Sequence, residues 1–352
     1  MSAETKQIAS PVGDLRRAHA TLRRTLRVCA WLSLALVCVV LLASIIGAQP
    51  LPVWASLRAL LTAGALTDSL TAEQRAILFD VRLPRILLGG IVGASLATAG
   101  ASYQALLRNP LAEPYLLGIS NGAAVGTMIA LVFFGAHEWS RPVLAFAGAL
   151  AATFFVYKLA RGKTGGASPA RLILAGVIVT TFLSSAIVFV TTLMDATRIR
   201  SFTFWLLGDL SNSPGNLLYV AFISAAIGIC VLTINARSLN LLMLGERDAF
   251  DLGVEVERVR VSVFLAASLL VGSSVAAGGS VGYVGLVVPH LVRLSLGSDN
   301  RLTIPAAALA GALFVILADT IARTVIAPRE LPVGAITALI GAPLFILLLK
   351  KV

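Results

Sequence analysis

Long charge-free stretches alternate with short charged ones along the whole chain. Segments 28–57, 86–107, 114–137, 142–157, 172–194, 210–236, 261–292, 302–318 and 331–349 contain no Asp, Glu, Lys or Arg. A helix rising 1.5 Å per residue needs about 20 mostly apolar residues to cross roughly 30 Å of hydrocarbon. Each run therefore predicts at least one membrane span. The short run 142–157 can end on Lys158 and Arg161, whose stems snorkel out of the hydrocarbon, and 302–318 extends through Asp319 to about Ala322. Run 261–292 is too long for one span. Gly278, Gly279, Gly282 and Gly285 crowd its middle ahead of Pro289, and glycine at that density stops a helix. The run splits into about 259–277 and 281–297, giving ten spans. The expectation is an all-α, polytopic membrane protein with ten transmembrane helices. It has a cytoplasmic segment 1–27 and one membrane domain, 28–352. The first apolar run exceeds the 7–15-residue core of a signal peptide and is expected to stay as the first span.

Composition agrees. Hydrophobic residues make up 58% of the 352 and charged ones 13%, with a mean hydropathy of +0.91. That excludes a soluble globule, a disordered chain and a disulfide scaffold. The three cysteines lie in apolar stretches and the three histidines are scattered, so no metal site is predicted. In a soluble protein a net charge of +11 would suggest nucleic acid. Here it tracks orientation. With ten spans and an inner N-terminus, nineteen of the 28 Lys and Arg fall on inner segments and nine on outer ones, as cytoplasmic loops require. Both termini are then cytoplasmic, and nine spans would put Lys350 and Lys351 outside. No basic stripe interleaved with aromatics is present, so no nucleic-acid partner is expected.

A few motifs carry candidate chemistry. ARGKTG (160–165) holds half of a phosphate-binding loop, but Tyr157 stands where the first glycine belongs, so the chain has no ATP site of its own. In RLPR (82–85), Arg82 and Arg85 are three apart and share a helix face. They either anchor the interface or form a cation pair that docks an acidic partner from outside. RNPLAEP (108–114) ends one helix and starts another. It is a plain turn or a tight re-entry that sets Asn109 and Leu111 across a passage. The inner segment 239–260 combines Glu246, Asp248, Asp251, Glu255 and Glu257 with Leu241, Leu242, Leu244, Phe250 and Leu252, punctuated by Gly245 and Gly253. It predicts two short amphipathic helices, either lying on the membrane or inserted into a groove on a cytosolic partner. Asp319 lies one turn before Arg323, which predicts a local ion pair near the outer surface, with a proton relay as the alternative.

RLPR, GASLATAGASYQALLRNPLAEPYLLGISNGAAVG (93–126), FWLLGDLS (204–211), the 239–260 loop, GYVGLVVPHLVR (282–293) and ELPVGAITALIGAPLFILLL (330–349) together resemble the permease subunits of ABC importers for ferric siderophores, haem and cobalamin, the FecCD family. They run in family order over about four-fifths of the chain. The resemblance implies a type II importer permease fold in the inner membrane, with a passage between the subunits of a homodimer. Two ATPase subunits, holding ATP and Mg, lie below and a soluble substrate-binding protein above. No cofactor is implied on this chain, and the cargo is a metal chelate: a siderophore, haem or cobalamin. It assigns a coupling loop of about 236–258, with Leu244, Gly245, Glu246, Asp248, Ala249, Leu252 and Gly253 engaging the ATPase. It assigns Arg82, Arg85 and Arg323 to acids on the binding protein, and Asn109 and Leu111 to a cytoplasmic gate. A second gate falls at Ser168 and Ala170, where Pro169 departs from what a mobile gate needs. Spans five (172–193) and ten (331–349) would line the passage. Thr180, Thr181, Ser184 and Ser185 among aliphatics suit a lining that makes few strong contacts with cargo. Two other classes are weighed. An ion-coupled secondary transporter would need no ATPase, but few buried acids are available for it. A membrane enzyme needs convergent polar groups, and only Asp319 and His290 offer themselves, far apart in the chain.

Overall fold

The computed structural model describes residues 11–62, 64, 65, 67, 69–134, 137–162, 167–211 and 216–349, with side chains from 22 to 347. Lys6, Lys163, Lys350 and Lys351, counted above as inner charges, and Thr164 of the GKT motif lie outside the described residues. The helices in chain order are α1 (Pro11–Ile45), α2 (Val53–Leu61), α3 (Ala72–Ala76), α4 (Leu83–Leu106), α5 (Ile119–Ile129), α6 (Ser140–Ala160), α7 (Pro169–Thr191), α8 (Ala196–Leu206), α9 (Leu217–Ile234), α10 (Ala236–Leu244), α11 (Glu246–Asp251), α12 (Val256–Gly278), α13 (Val284–Leu296), α14 (Asn300–Thr324) and α15 (Val333–Leu349). A π-helical stretch, Ile77–Arg82, joins α3 to α4, another, Ala130–Phe134, ends α5, and a 3-10 turn, Pro114–Leu117, leads into α5. Among the described residues the only β-pairing is an isolated bridge between Arg161 and Ala167.

Among the described residues, seven helical segments are long and apolar enough to cross a membrane: 22–45, 72–106, 140–160, 169–191, 217–234, 256–278 and 300–324. Segments 119–134, 284–296 and 333–347 are apolar but shorter. The expected split of run 261–292 is present. The helix stops at Gly279 (φ 70°) and restarts after Tyr283 (φ 68°). A Cβ on Gly279 would collide with the Trp205 carbonyl at the end of α8, so the break needs glycine for both conformation and space. The first helix begins at Pro11, so 11–27 is helical and runs directly into the first span. Much of 49–82, between the first two spans, is helical too: α2 is followed by α3, which a capping box of Thr71 and Gln74 starts, and the helix runs on through Arg82 into α4.

α4 is the hub of the bundle and is buried along most of its length, packed by α12, α13 and α14. Small residues permit this. Any Cβ on Gly93 would strike the Gly311 carbonyl of α14, and one on Gly100 the Gly285 carbonyl of α13. α5 and α6 meet in the same way through Gly122, Gly126 and Gly148. Within lipid, where chain burial gives no hydrophobic gain, such backbone contact is what holds helices together. α1, α7 and α9 are peripheral and turn Trp31, Leu34, Phe182, Phe189 and Phe222 outward.

Candidate functional site: charged clusters at the two ends of the bundle

At one end, four guanidinium and carboxylate groups close on one another. Arg85, at the start of α4, donates from Nε to Asp319 Oδ1 at 3.0 Å and pairs through Nη1 with Glu330 at 2.6 Å. Arg323, one turn beyond Asp319 on α14, pairs with its other oxygen at 3.0 Å, as the i,i+4 spacing predicts. The side chains of Arg85, Asp319 and Arg323 are only 10%, 2% and 6% exposed. Two of the arginines also satisfy α1. Its last carbonyls have no partner within the helix, as at any C-terminus. Arg82 donates to the carbonyls of Ser44 (3.2 Å), Ile45 (2.8 Å) and Gln49, and Arg323 to that of Ala43 (3.3 Å). Cations are favoured at this pole of a helix. Arg82 and Arg323, two of the residues expected at a docking site, are both buried, Arg82 bonded to backbone carbonyls and Arg323 to Asp319 and the Ala43 carbonyl.

Of the three arginines, only Arg85 borders open space. It lines a cavity of about 420 Å³ between α8, the N-terminus of α6 and the start of α15, together with Arg141, Arg200, Asp209 and Glu330. Arg200 lies 6.0 Å from the Phe204 ring. Among the described residues, neither Arg141 nor Arg200 has a carboxylate within ion-pair distance.

The opposite end is built differently. α10 and α11 form the two short helices expected of the acidic loop. They are separated by Gly245 (φ 149°) and closed by Gly253 (φ 83°), both in backbone conformations that favour glycine. Arg260, in the first turns of α12, is 6% exposed and lies between two glutamates. It meets Glu246 of α11 at 2.7 Å and Glu257 at 2.6 Å. Glu257 also accepts the Tyr157 hydroxyl of α6 at 2.7 Å, and Arg108 comes within 4.0 Å of Glu246. α10 is fixed separately. Asn240 donates to Asp299 Oδ1 at 2.7 Å and accepts the Asn300 N–H at 2.8 Å. Asp299 caps α14 through the Arg301 N–H. Burial alone would raise its carboxyl, but the hydrogen bonds from Arg301 and Asn240 outweigh that and hold it below the usual carboxylate range. Leu244, Phe250 and Leu252 face outward with Asp248 and Asp251 beside them, while Ala249 is buried beneath.

The remaining expected residues fall in between. Asn109 accepts the Leu111 N–H at 2.9 Å, forming a tight turn that leaves Leu111 exposed. Ser168 is the N-cap residue of α7 without a side-chain cap bond, and Ala170 is exposed in its first turn. Thr181 and Ser185 are exposed and return their hydroxyls to the carbonyls of Val177 and Thr181. Asn121 of α5 donates to the Thr180 carbonyl (3.1 Å) and the Ser184 hydroxyl (2.7 Å), so these two face α5. Halfway along the bundle, the α12–α13 break is held by the 113–120 strap. Glu113 accepts the Tyr283 N–H at 3.1 Å, the Tyr115 hydroxyl donates to the Val281 carbonyl at 3.0 Å, and Ser120 meets Ser280 at 3.0 Å. Sequence reasoning missed Arg260, Tyr157, Asn240, Arg141, Arg200 and Glu113. For Arg260 a signal existed: an arginine three residues after Glu257 on a predicted helix.

Over residues 34–351 the sequence matches the FecCD transport family. The chain belongs to that family. Among FecCD relatives, it is 42% identical over 280 residues to the hemin transport system permease protein HmuU of Yersinia pestis, covering 78% of this chain and 79% of that protein. It is 43% identical over 276 residues to the cobalamin import system permease protein BtuC of Halobacterium salinarum, covering 78% and 74%. The FecCD fold is equally evident. A solved inward-facing conformation of a metal-chelate type ABC transporter superposes with a TM-score of 0.79 at 32% identity, covering 93% of this chain and all of the other. The chain is thus a multi-pass, all-helical membrane permease of the FecCD type.

Proposed function

We propose that this chain is the membrane-spanning subunit of an ATP-driven importer of a metal chelate, either an iron–siderophore or haem complex or cobalamin. The three shorter apolar helices complete ten crossings, and the Arg260 end faces the cytoplasm. α1 and α15 both have their far ends on that side, which supports cytoplasmic termini. Two copies pair to form the passage, each with a separate ATPase subunit that holds ATP and Mg. The observation that carries this reading is α11. It is an acidic, apolar helix that leaves Leu244, Phe250 and Leu252 uncovered yet is anchored by Glu246 to the buried Arg260. Such a surface fits a groove on a soluble partner, and the anchor would carry that partner's motion into α12. Leu244, Gly245, Glu246, Asp248, Ala249, Leu252 and Gly253 make up this coupling surface.

At the outer end, the 420 Å³ cavity is the socket for a binding protein. Arg141 and Arg200 supply unpaired guanidinium groups, and Arg85 can exchange Glu330 for a partner's carboxylate. Asn109 and Leu111, with Ser168 and Ala170, would close the cytoplasmic side. Thr180, Thr181, Ser184 and Ser185 of α7, the last three exposed, would line the passage. The test is reconstitution of the permease with its ATPase and binding protein in liposomes. ATP-dependent, vanadate-sensitive uptake of a ferric siderophore, haem or cobalamin is expected. Uptake driven by an ion gradient and indifferent to ATP and vanadate would instead establish the secondary-transporter reading.

A further inference from the structure

α2 lies outside the transport machinery, and its exposed side has a composition of its own. Ser56 and Ala59 are buried beneath it, and Leu51, Ala59 and Leu78 form a small separate core that fixes it to the turn before α4. The opposite side carries Val53, Trp54, Arg58 and Leu61, all exposed, with Trp54 84% exposed. Positions 54, 58 and 61 follow helical spacing and lie on one face. Among the described residues, nothing covers that face. Its height in the bundle is set by its neighbours: α2 begins eight residues after Ile45, whose carbonyl Arg82 caps, and its small core includes Leu78, one turn before Arg82. It therefore lies just beyond the apolar part of α1, whose Leu34, Val37 and Leu42 are exposed. Other exposed aromatic side chains reach this end of the bundle as well, Phe133 and Phe134 after α5 and Tyr219 at the start of α9.

A tryptophan, an arginine and two aliphatic residues on one face, set where a spanning helix leaves the hydrocarbon, match the headgroup layer of a bilayer. The indole sits among glycerol and headgroup atoms, the aliphatics dip inward, and the guanidinium reaches lipid phosphate. We infer that α2 is an interfacial anchor, lying flat in the outer headgroup layer with Arg58 on a phospholipid phosphate. α2 packs against α1, which turns Leu34, Val37 and Leu42 outward toward lipid, and that favours lipid over a soluble protein as the occupant of this face. The anchor would set the height of the RLPR turn relative to the bilayer, because α2 packs on the stretch that leads into it.

The test uses the full chain in vesicles of phosphatidylethanolamine and phosphatidylglycerol, with Trp31, Trp139 and Trp205 replaced by Phe so that Trp54 alone emits. A nitroxide on the lipid headgroup should quench Trp54 several-fold more than aqueous iodide does. Arg58→Glu should reduce the headgroup quenching several-fold. If the triple replacement does not fold, the unaltered chain can be photo-crosslinked to a lipid with a diazirine on its headgroup, and peptides from 53–61 should carry the adduct. Strong iodide quenching with no response to the lipid nitroxide, or absence of crosslinks at 53–61, would overturn the anchor and place this face in water. Protection from iodide that appears only on adding binding protein would assign it to that partner instead.

Discussion

The two ends of the bundle use the same residue types for opposite purposes. At the Arg85 end, both partners of the central pair are buried, and the arginines reach across α1, α4, α14 and the start of α15. Charge there fastens spanning helices to one another. At the Arg260 end only the arginine is buried. Its glutamates, 39% and 44% exposed, belong to a surface helix and to the first turn of α12. Charge there attaches one surface helix to one buried point. Salt bridges with both groups in low dielectric are costly to break singly, because the survivor stays buried and unpaired. Exposed carboxylates can return to water, so the second arrangement can be remade. A fixed junction and one that can be remade are thus told apart by the burial of the carboxylate, not by the presence of an arginine.

The contrast can be broken most severely at Asp319. Asp319→Ala leaves Arg85 and Arg323 without their shared buried partner and should cost about 3–5 kcal/mol, read as a large fall in the melting temperature of the purified protein in detergent. A loss under 1 kcal/mol would show that this end is not a rigid fastening. Arg82→Ala, which leaves the last carbonyls of α1 unsatisfied, should cost roughly 1–3 kcal/mol by the same measurement. Arg260→Gln sharpens the comparison through function. Its glutamates can rehydrate, so folding should change little, while transport per ATP hydrolysed falls about tenfold in the reconstituted complex, equivalent to ~1.4 kcal/mol of lost coupling. Arg260→Lys should recover part of that loss. Transport and hydrolysis falling together would mean that Arg260 merely supports the fold. The smallest effect is expected at Asp299, where replacement by Ala removes the α14 cap at a cost of about 0.5–2 kcal/mol. Because its carboxyl is held below the range of about 3.9 found in unfolded chains, this contribution is complete at neutral pH and above. It fades as the pH falls below that value toward the folded one, so wild-type and Asp299→Ala melting curves should converge on acidification.

How much of this was legible in the chain depends on whether the deciding partner is near in sequence. The helical class, the positions of the spans, the stop between α12 and α13 and the two short helices around Gly245 follow from local pattern, because glycine and the absence of charge act within a few residues. The Asp319–Arg323 pair is likewise one turn long. The contacts of Arg82 were not legible, because what it touches, the end of α1 and the turn after it, lies 33 to 38 residues earlier. A cation next to a spanning run looks the same whether it faces water or caps another helix. Arg85 and Asp319 are 234 residues apart, and Asn240 and Asp299 are 59 apart. Neither contact leaves a periodic trace. The start of the first helix at Pro11 was also hidden, since the arginines of 11–27 end a hydrophobic run without ending a helix. The membership in the FecCD family, by contrast, rests on motifs spread across the chain and needs no contact to be recognised.

The bare glycine contacts of α4 with α14 and α13 carry a mechanical consequence. With carbonyl groups of one backbone seated against the α-carbons of the next, and no side chain between them to bend, these helices cannot slip past one another without collision. They form a stiff plate. α14 alone spans 25 residues, about 37 Å at 1.5 Å per residue. It is fixed at one tip to α10 through Asn240 and at the other to Arg85 through Asp319. A nudge delivered at the first tip would reach the second almost undiminished, as along a push-rod.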